Sequence, residues 1–243
     1  NKILPGAYLN FRTKAPLSIT PGERGIVVIL QEVNSGNIGD MYTITTLDQS
    51  EWPEGATTAD KLLANEALKG ASKVIIYNLS TEHTAGVIEN ALEALKTRNF
   101  NVICYPYDGA AYLSNKAAIK SWVEVMRSEE GEKIQAVMAN FAADSEAIIN
   151  VTQGVKLADG TTLTAAQCTA WVAGITAGAA INQSNTGRKY EGAIDVIPRM
   201  SKTEMEEASK AGEWIFKVDS AQNVTAVYDI NSLTSESQDK GKA

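Results

Sequence analysis

The side chains best suited to acid–base, nucleophilic or metal chemistry are one imidazole, His83, two thiols, Cys104 and Cys168, and 29 carboxylates spread over 243 residues. Nucleophilic catalysis needs a nucleophile and a base within reach of each other. His83 stands beside Glu82 at the start of a predicted surface helix, and no Gly-x-Ser-x-Gly elbow supplies a serine. Cys104 falls in a β-branched strand-like run and Cys168 in an apolar helix-like run, with no CxxC pair and no neighbouring His. Both are read as buried free thiols, because burial disfavours the thiolate. The close carboxylates are Glu129-Glu130, Asp144 with Glu146, and Glu204-Met-Glu206-Glu207, all at predicted helix ends or in loops, where acids are ordinarily solvated. None has the spacing of a calcium loop, and one imidazole is too few for a zinc set. Phosphate chemistry fares no better: neither G-x-G-x-x-G nor G-x-x-x-x-G-K-[ST] occurs, and Asp108-Gly109 reads as a turn. No catalytic, cofactor-binding or metal-binding set is expected.

The elements that would have to position such residues alternate along the chain. Gly25 to Leu30 is an apolar, β-branched strand, and Met41 to Thr46 a second, more exposed one. Thr57 or Thr58 can cap a helix over Ala59 to Lys69 that Gly70 stops. Lys73 to Tyr77 is the next strand, and a helix is predicted from Thr81 to Asn99 with Val87, Ile88, Ala91, Leu92 and Leu95 on one face. Asn101 to Tyr105 is a strand. Ser114 to about Ser128 is a helix expected to bury Ile119, Trp122, Val123 and Met126 while Lys116, Lys120 and Glu124 stay outside. Ile134 to Met138 follows as a strand. Val155 to Leu163 carries the turn Ala158-Asp-Gly160 of a small hairpin. A helix capped by Thr164 then runs to about Ala180 with hardly any polar face. Tyr190 to Ile197 is a predicted strand, Ser201 with Glu204 a capping box opening a helix, and Trp214 to Val218 and Val224 to Ile230 two β runs. Strands joined by helices imply right-handed crossovers. The fold class is therefore α/β: a mainly parallel sheet with helices on both faces, plus an extended N-terminal arm and a small β element.

Charge and composition exclude several functions. The formal net charge is −7, which is unsuited to displacing counterions from phosphate, so nucleic acid is not an expected partner. No run approaches the roughly 20 apolar residues of a membrane-spanning helix, and no signal segment opens the chain, which reads as soluble and intracellular. Two features stay unexplained by a plain globular domain. The first is the arm, where Leu4 to Phe11 has a strand-like pattern with nothing local to pair with; extended apolar arms add to the sheet edge of a neighbour. The second is the apolar helix with Trp171 and Gly174-x-x-x-Gly178, whose small residues permit close packing, on its own sheet or on another subunit.

With these residues in view, the chain resembles the tail sheath proteins of contractile-tailed bacteriophages and phage-tail-like particles, of the Gram-positive prophage type. The blocks that carry the resemblance are Leu4-Pro-Gly-Ala-Tyr-Leu-Asn-Phe11, Gly22-Glu-Arg-Gly-Ile-Val27, Trp171-Val-Ala-Gly-Ile-Thr-Ala-Gly178, Asn182-Gln-Ser-Asn-Thr186, Tyr190-Glu-Gly-Ala-Ile-Asp-Val196 and Tyr228-Asp-Ile-Asn-Ser-Leu-Thr234. They lie in order from residue 4 to about 234. The resemblance implies a structural, non-enzymatic subunit that self-associates into a helical homo-oligomer around a tail tube protein, joins a baseplate, and contracts to drive the tube through a cell envelope. It implies a place in the virion tail, with assembly in the host bacterial cytoplasm and no membrane insertion. It also frames the domains: 1–24 as the extended arm, 25–234 as the α/β sheath core, and 235–243 as a disordered or truncated end. The β-sandwich that family members insert is expected to be absent near 80–84, and their C-terminal domain to be missing. Ile3, Leu4, Tyr8, Leu9 and Phe11 are the expected subunit contacts, extending a neighbour's sheet. The alternatives are another structural module of tail or baseplate, or a ligand-binding or enzymatic doubly wound domain; an open cleft with converging acids at the strand carboxyl ends would favour the last.

Overall fold

The β-branched run Ile26–Gln31 becomes β1, buried on both faces near the middle of a seven-stranded sheet, as expected for a strand with no polar alternation. The computed structural model describes residues 25–47, 51–82, 84–180 and 182–235; the arm with Ile3, Leu4, Tyr8, Leu9 and Phe11, His83, and residues 236–243 lie outside the described residues. From β1 the chain passes through β2 (Met41–Ile44) and α1 (Thr58–Leu68) to β3 (Lys73–Asn78), then by α2 (Val87–Leu95) back across β1 to β4 (Val102–Tyr105). It continues through α3 (Leu113–Ser128) to β5 (Gln135–Ala139) and β6 (Ile148–Val151). A last two-residue strand, β10 (Glu213–Trp214), gives the spatial order β10-β6-β5-β4-β1-β3-β2, parallel throughout except for β2, which runs antiparallel to β3 at the edge.

Alternate β1 side chains feed two separate cores. Val27 and Ile29 pack with α1 and with α4 (Ala165–Gly178), while Ile26, Val28 and Leu30 pack with α2 and α3. The result is a three-layer α/β/α sandwich. A three-stranded sheet of β7 (Gly154–Leu157), β8 (Thr162–Leu163) and β9 (Ala193–Ile197) leans on α4. After β9, α5 (Lys202–Lys210) leads through β10 to the hairpin of β11 (Phe216–Val218) with β12 (Val224–Ala226).

Helix α4 is enclosed on nearly every side by its own chain, which accounts for its lack of a polar face. It starts with a full capping box between Thr164 and Gln167. Gly174 lies against the backbone of α1 at Ala67 and Gly178 against Gly70 just beyond its end, so close that a β-carbon at either would overlap a carbonyl oxygen. Trp171 stacks on Tyr190 with ring centroids 4.2 Å apart, and the Tyr190 hydroxyl donates to Glu66, a carboxylate 4% exposed that also takes a bond from Lys69 Nζ at 2.9 Å. This joins α1, α4 and the approach to β9. Tyr190→Phe removes one bond to a buried charged acceptor while keeping the stack, and is expected to cost about 2 kcal/mol. Urea unfolding followed by tryptophan fluorescence measures it; a cost below about 0.5 kcal/mol would show that the bond contributes nothing net.

The structure corrects several expectations. Helix α2 begins at Val87, not Thr81, because Gly86 (φ 77°) adopts a left-handed conformation at its N-cap and breaks the helical path. It ends at Leu95, short of Asn99. Strand β6 was not foreseen. The run Trp214 to Val218 is split, with Trp214 on the main sheet and Phe216 in a separate hairpin. Most consequential, Lys116 is fully buried rather than outside, and Trp122 and Met126 only line the margin of the core they were expected to fill.

Candidate functional site

In an open parallel sheet, ligands gather at the strand carboxyl ends where the order reverses, which here is between β1 and β4. That position is plugged by the chain itself. Directly after β4, Tyr107 reaches across the switch point, and its hydroxyl accepts a bond from the Glu32 backbone N–H at 2.6 Å. Its ring stacks on Tyr112 (centroids 5.1 Å, 21° between planes) and meets Tyr105 edge-on at 5.3 Å. Asn115 Nδ2 donates to the Tyr105 hydroxyl at 2.9 Å. Burial pushes the Tyr105 phenol up to about 12 and that of Tyr107 higher still, so neither is suited to proton transfer near neutrality. A cavity of about 250 Å³ remains beside the plug, with Glu32 and Glu89 among its walls and no thiol or basic side chain among the described residues that line it.

Next to the tyrosines lies a charged pair whose lysine, Lys116, is buried although its charge suits it to solvent. Lys116 Nζ donates to Asp108 Oδ1 at 2.9 Å and to the Ala139 carbonyl at 2.6 Å, beyond the ends of β4 and β5. Asp108 also accepts from Asn140 Nδ2 at 2.5 Å and from the Gly109 N–H at 2.8 Å. Burial raises the Asp108 carboxyl pKa, but the bonds from Asn140, Lys116 and Gly109 together outweigh it and hold the group below the usual carboxylate range. The ammonium is engaged on both sides, so this cluster closes the sheet edge and offers no free base or nucleophile.

The other side chains singled out by type have structural roles. Cys104 is buried against Thr169 Oγ1 at 3.2 Å, and burial raises its thiol to about 12; Cys168 is raised by burial as well. Asp144, in a left-handed conformation (φ 46°), accepts bonds from the Thr234 N–H (2.8 Å), Thr234 Oγ1 (3.1 Å) and the Ser235 N–H (2.9 Å). The Thr234 and Ser235 backbone bonds lower its carboxyl pKa to about 2. Ser232 adds bonds to Ser145 and to the Ile148 carbonyl. The segment leaving β12 is thus clamped along β6, a function that sequence reading did not assign to Asp144. Glu146 pairs with Arg127 at 3.1 Å, Glu204 closes the α5 capping box with Ser201, and Glu129 and Glu130 are exposed. The proposed arm contacts Ile3, Leu4, Tyr8, Leu9 and Phe11 fall outside the described residues. Surfaces suited to assembly do occur within them: the edge strand β2, paired on one side only among the described residues, and Ile194 and Ile197 exposed on β9. Among the described residues no helix is long and apolar enough to cross a membrane.

Comparison with known proteins gives a consistent result. Residues 81–232 match the phage tail sheath protein central domain, and residues 24–79 the N-terminal region of domain III of the tail sheath protein Gp18. The phage-like element PBSX protein XkdK of Bacillus subtilis (strain 168) is 37% identical over 205 residues, 84% of this chain and 42% of that protein. The tail sheath protein of Clostridium phage phiCD119 is 35% identical over 178 residues, 73% of this chain and 48% of that protein. The chain therefore spans less than half the length of these curated relatives. Among solved structures, the sheath tail protein of Desulfitobacterium hafniense superposes with a TM-score of 0.80 at 29% identity, over 98% of this chain and 77% of that one. The contracted helical sheath of the anti-feeding prophage shares the fold, with a TM-score of 0.65 at 14% identity over 94% of this chain and 68% of that one.

Proposed function

This chain belongs to the phage tail sheath family, and from that membership we propose that it is a structural subunit of a contractile tail sheath, assembling with further copies into a helical tube around an inner tail tube. Contraction of that tube drives the inner one through a cell envelope. The observation that carries this reading over a ligand-binding doubly wound domain is Tyr107, which reaches across the switch point where a ligand would sit, with the Lys116–Asp108 pair filling the neighbouring ends of β4 and β5. The partners are other copies, a tail tube protein and a baseplate, in the tail of a phage particle assembled in a host cytoplasm. The net charge of −7 speaks against nucleic acid as a partner.

The domain reading follows the same line: residues 1–24 act as an arm, 25–234 as the core, and β3 passes to α2 through a short connection where other sheaths insert a β-sandwich. Within the arm, Ile3, Leu4, Tyr8, Leu9 and Phe11 add a strand to a neighbour's sheet, where main-chain bonds hold the strand and alternate side chains fix its register. Deleting Asn1 to Arg12 is expected to abolish long tubes in negative-stain micrographs of the protein mixed with its tube partner, while thermal unfolding of the core stays unchanged. Long tubes formed by the deletion variant would remove the arm from the assembly.

A further inference from the structure

Seven large apolar side chains are exposed among the described residues, and four of them fall in two places. The first is α3, where Leu113 (50% exposed) and Val125 (45%) end a stripe that repeats every four residues through Ala117 and Ser121. The stripe faces solvent and carries no charge, unlike the polar side of an ordinary surface helix. Beside its second half runs an open groove of about 790 Å³, walled by Ser121, Glu124 and Val125 on α3 and by Ser145 to Ala147 across from them. Four carboxylates, Glu124, Glu129, Glu130 and Glu146, border this region against two cations, Lys120 and Arg127. Arg127 is engaged by Glu146 and the Ile134 carbonyl, and Lys120 by the Ala143 carbonyl, so the rim is acidic. The second place is β9, with Ile194 (47%) and Ile197 (43%). Pairing with β7 skips Ile194, a bulge that turns Ile194, Asp195 and Ile197 outward while Ala193 and Val196 are buried. Around them stand Lys156, opposite Asp195, and Arg199 and Lys217, which share the wall of a small cavity with Val196. Arg199 closes on Asp195 at 2.7 Å, whereas Lys156 and Lys217 are exposed without an ion pair among the described residues, so this rim is basic. The β9 sheet leans on α4, on the Val27 and Ile29 side of β1, and α3 packs on the Val28 side. The two patches thus lie on opposite sides of the main sheet.

We propose that these patches are the two halves of one contact, in which Ile194 and Ile197 of one copy seat on the α3 stripe and groove of the next. The occupant follows from the rims: an apolar centre with an acidic border meets an apolar centre with a basic border, and both belong to this chain. Copies that each carry a net charge of −7 repel one another overall, and setting Lys156 and Lys217 against Glu124, Glu129 and Glu130 reverses the sign locally. Because the patches lie on opposite sides of the fold, every copy gives one and takes one. Such a head-to-tail contact propagates into a ring or a helix, where a patch that met itself would stop at a dimer. This inference rests on the sheath reading above, which supplies the second copy.

The test is disulfide cross-linking of the full chain, since Cys104 and Cys168 are buried and stay out of reach. Val125→Cys and Ile197→Cys are prepared separately, with Ser121→Cys and Ile194→Cys as a second pair; all four positions are exposed, and tryptophan fluorescence confirms that each variant is folded. Mixed in equal amounts and oxidised, the members of a pair are expected to give a linked dimer that neither gives alone. The chain carrying both changes should give a ladder of multimers. Leu47→Cys mixed with Val125→Cys measures random collision, Leu47 being exposed at the end of β2. Linked dimer is expected to fall about fivefold between about 0.05 and 0.5 M salt, as screening weakens the opposed rims. Mixed dimer no more abundant than the collision control in both pairs overturns the contact. Val125→Cys linking to itself as readily as to Ile197→Cys overturns it too, because α3 would then meet α3. A yield indifferent to salt overturns the charge argument that selects the occupant. Negative stain with the tube partner separates this contact from the sheath reading: tubes without mixed dimer refute the contact alone, and mixed dimer without tubes refutes the sheath reading alone.

Discussion

Gly174→Ala is expected to destabilise the protein by about 3 kcal/mol, against the sign that helix propensity alone would give. In a solvent-facing helix the same change stabilises by about 1 kcal/mol, because alanine has less backbone freedom to lose. At Gly174 the added methyl would overlap the Ala67 carbonyl oxygen and stand 2.9 Å from its carbon and 3.0 Å from the Ala67 Cα. These are backbone atoms of the last turn of α1, where the Ala67 carbonyl also accepts from the Gly70 and Ala71 N–H groups. No side-chain rotation relieves the contact, so α1 must move off α4, loosening Leu63, Ala64 and Ala67 from the core that both helices share. Gly178→Ala meets the Gly70 carbonyl in the same way, and because both changes push on one helix, the double variant should fall short of the sum of the two. Urea unfolding read by tryptophan fluorescence measures the effect, with Trp171 and Trp214 both buried. A stabilised Gly174→Ala protein would mean that α1 and α4 are not in contact.

The same pair of helices shows how much of the fold is legible in the sequence. Gly174-x-x-x-Gly178 in a helix without a polar face announces a close backbone neighbour, but only the structure identifies it as α1. The starts of α1, α4 and α5 are readable, that of α1 to within one residue, because their caps are local chemistry, three residues wide, at Thr57, Thr164 and Ser201. Strand β6 was not, since a four-residue run between a clamped loop and a turn has no period to detect. The split after Trp214 is likewise invisible: Phe216 turns into a local hairpin with β12, whereas Trp214 is held by β6, more than sixty positions back in the sequence. For the candidate sites, residue types misled once. Lys116, Ile119 and Val123 share one face of α3 at helical spacing, so periodicity placed Lys116 inward while its charge argued for solvent, and periodicity won because Asp108 and the Ala139 carbonyl are there to receive it.

The buried pair gives the second large effect, through its asymmetry. Asp108→Ala should cost about 3–5 kcal/mol, since it leaves the fully buried Lys116 ammonium with one carbonyl and no counter-charge. Lys116→Met should cost about 1 kcal/mol, because methionine fills the space of the lysine stem and Asp108, its side chain 37% exposed, keeps solvent and the bonds from Asn140 and Gly109. The two variants remove the same ion pair, so the difference between them isolates the stranded charge from the worth of the pair. Acid unfolding supplies an independent reading. The folded Asp108 pKa is depressed relative to the unfolded value near 3.9, so its contribution is fully present above about pH 5 and is lost as pH falls through the folded pKa. Asp108→Asn should therefore lose less stability between pH 5 and pH 2 than the parent, leaving the slope due to Asp144, whose pKa is near 2, in place. Equal costs for Asp108→Ala and Lys116→Met, or an unchanged acid slope in Asp108→Asn, would show that the ammonium finds water or another acceptor, and that the carboxyl edge of the sheet is open rather than closed.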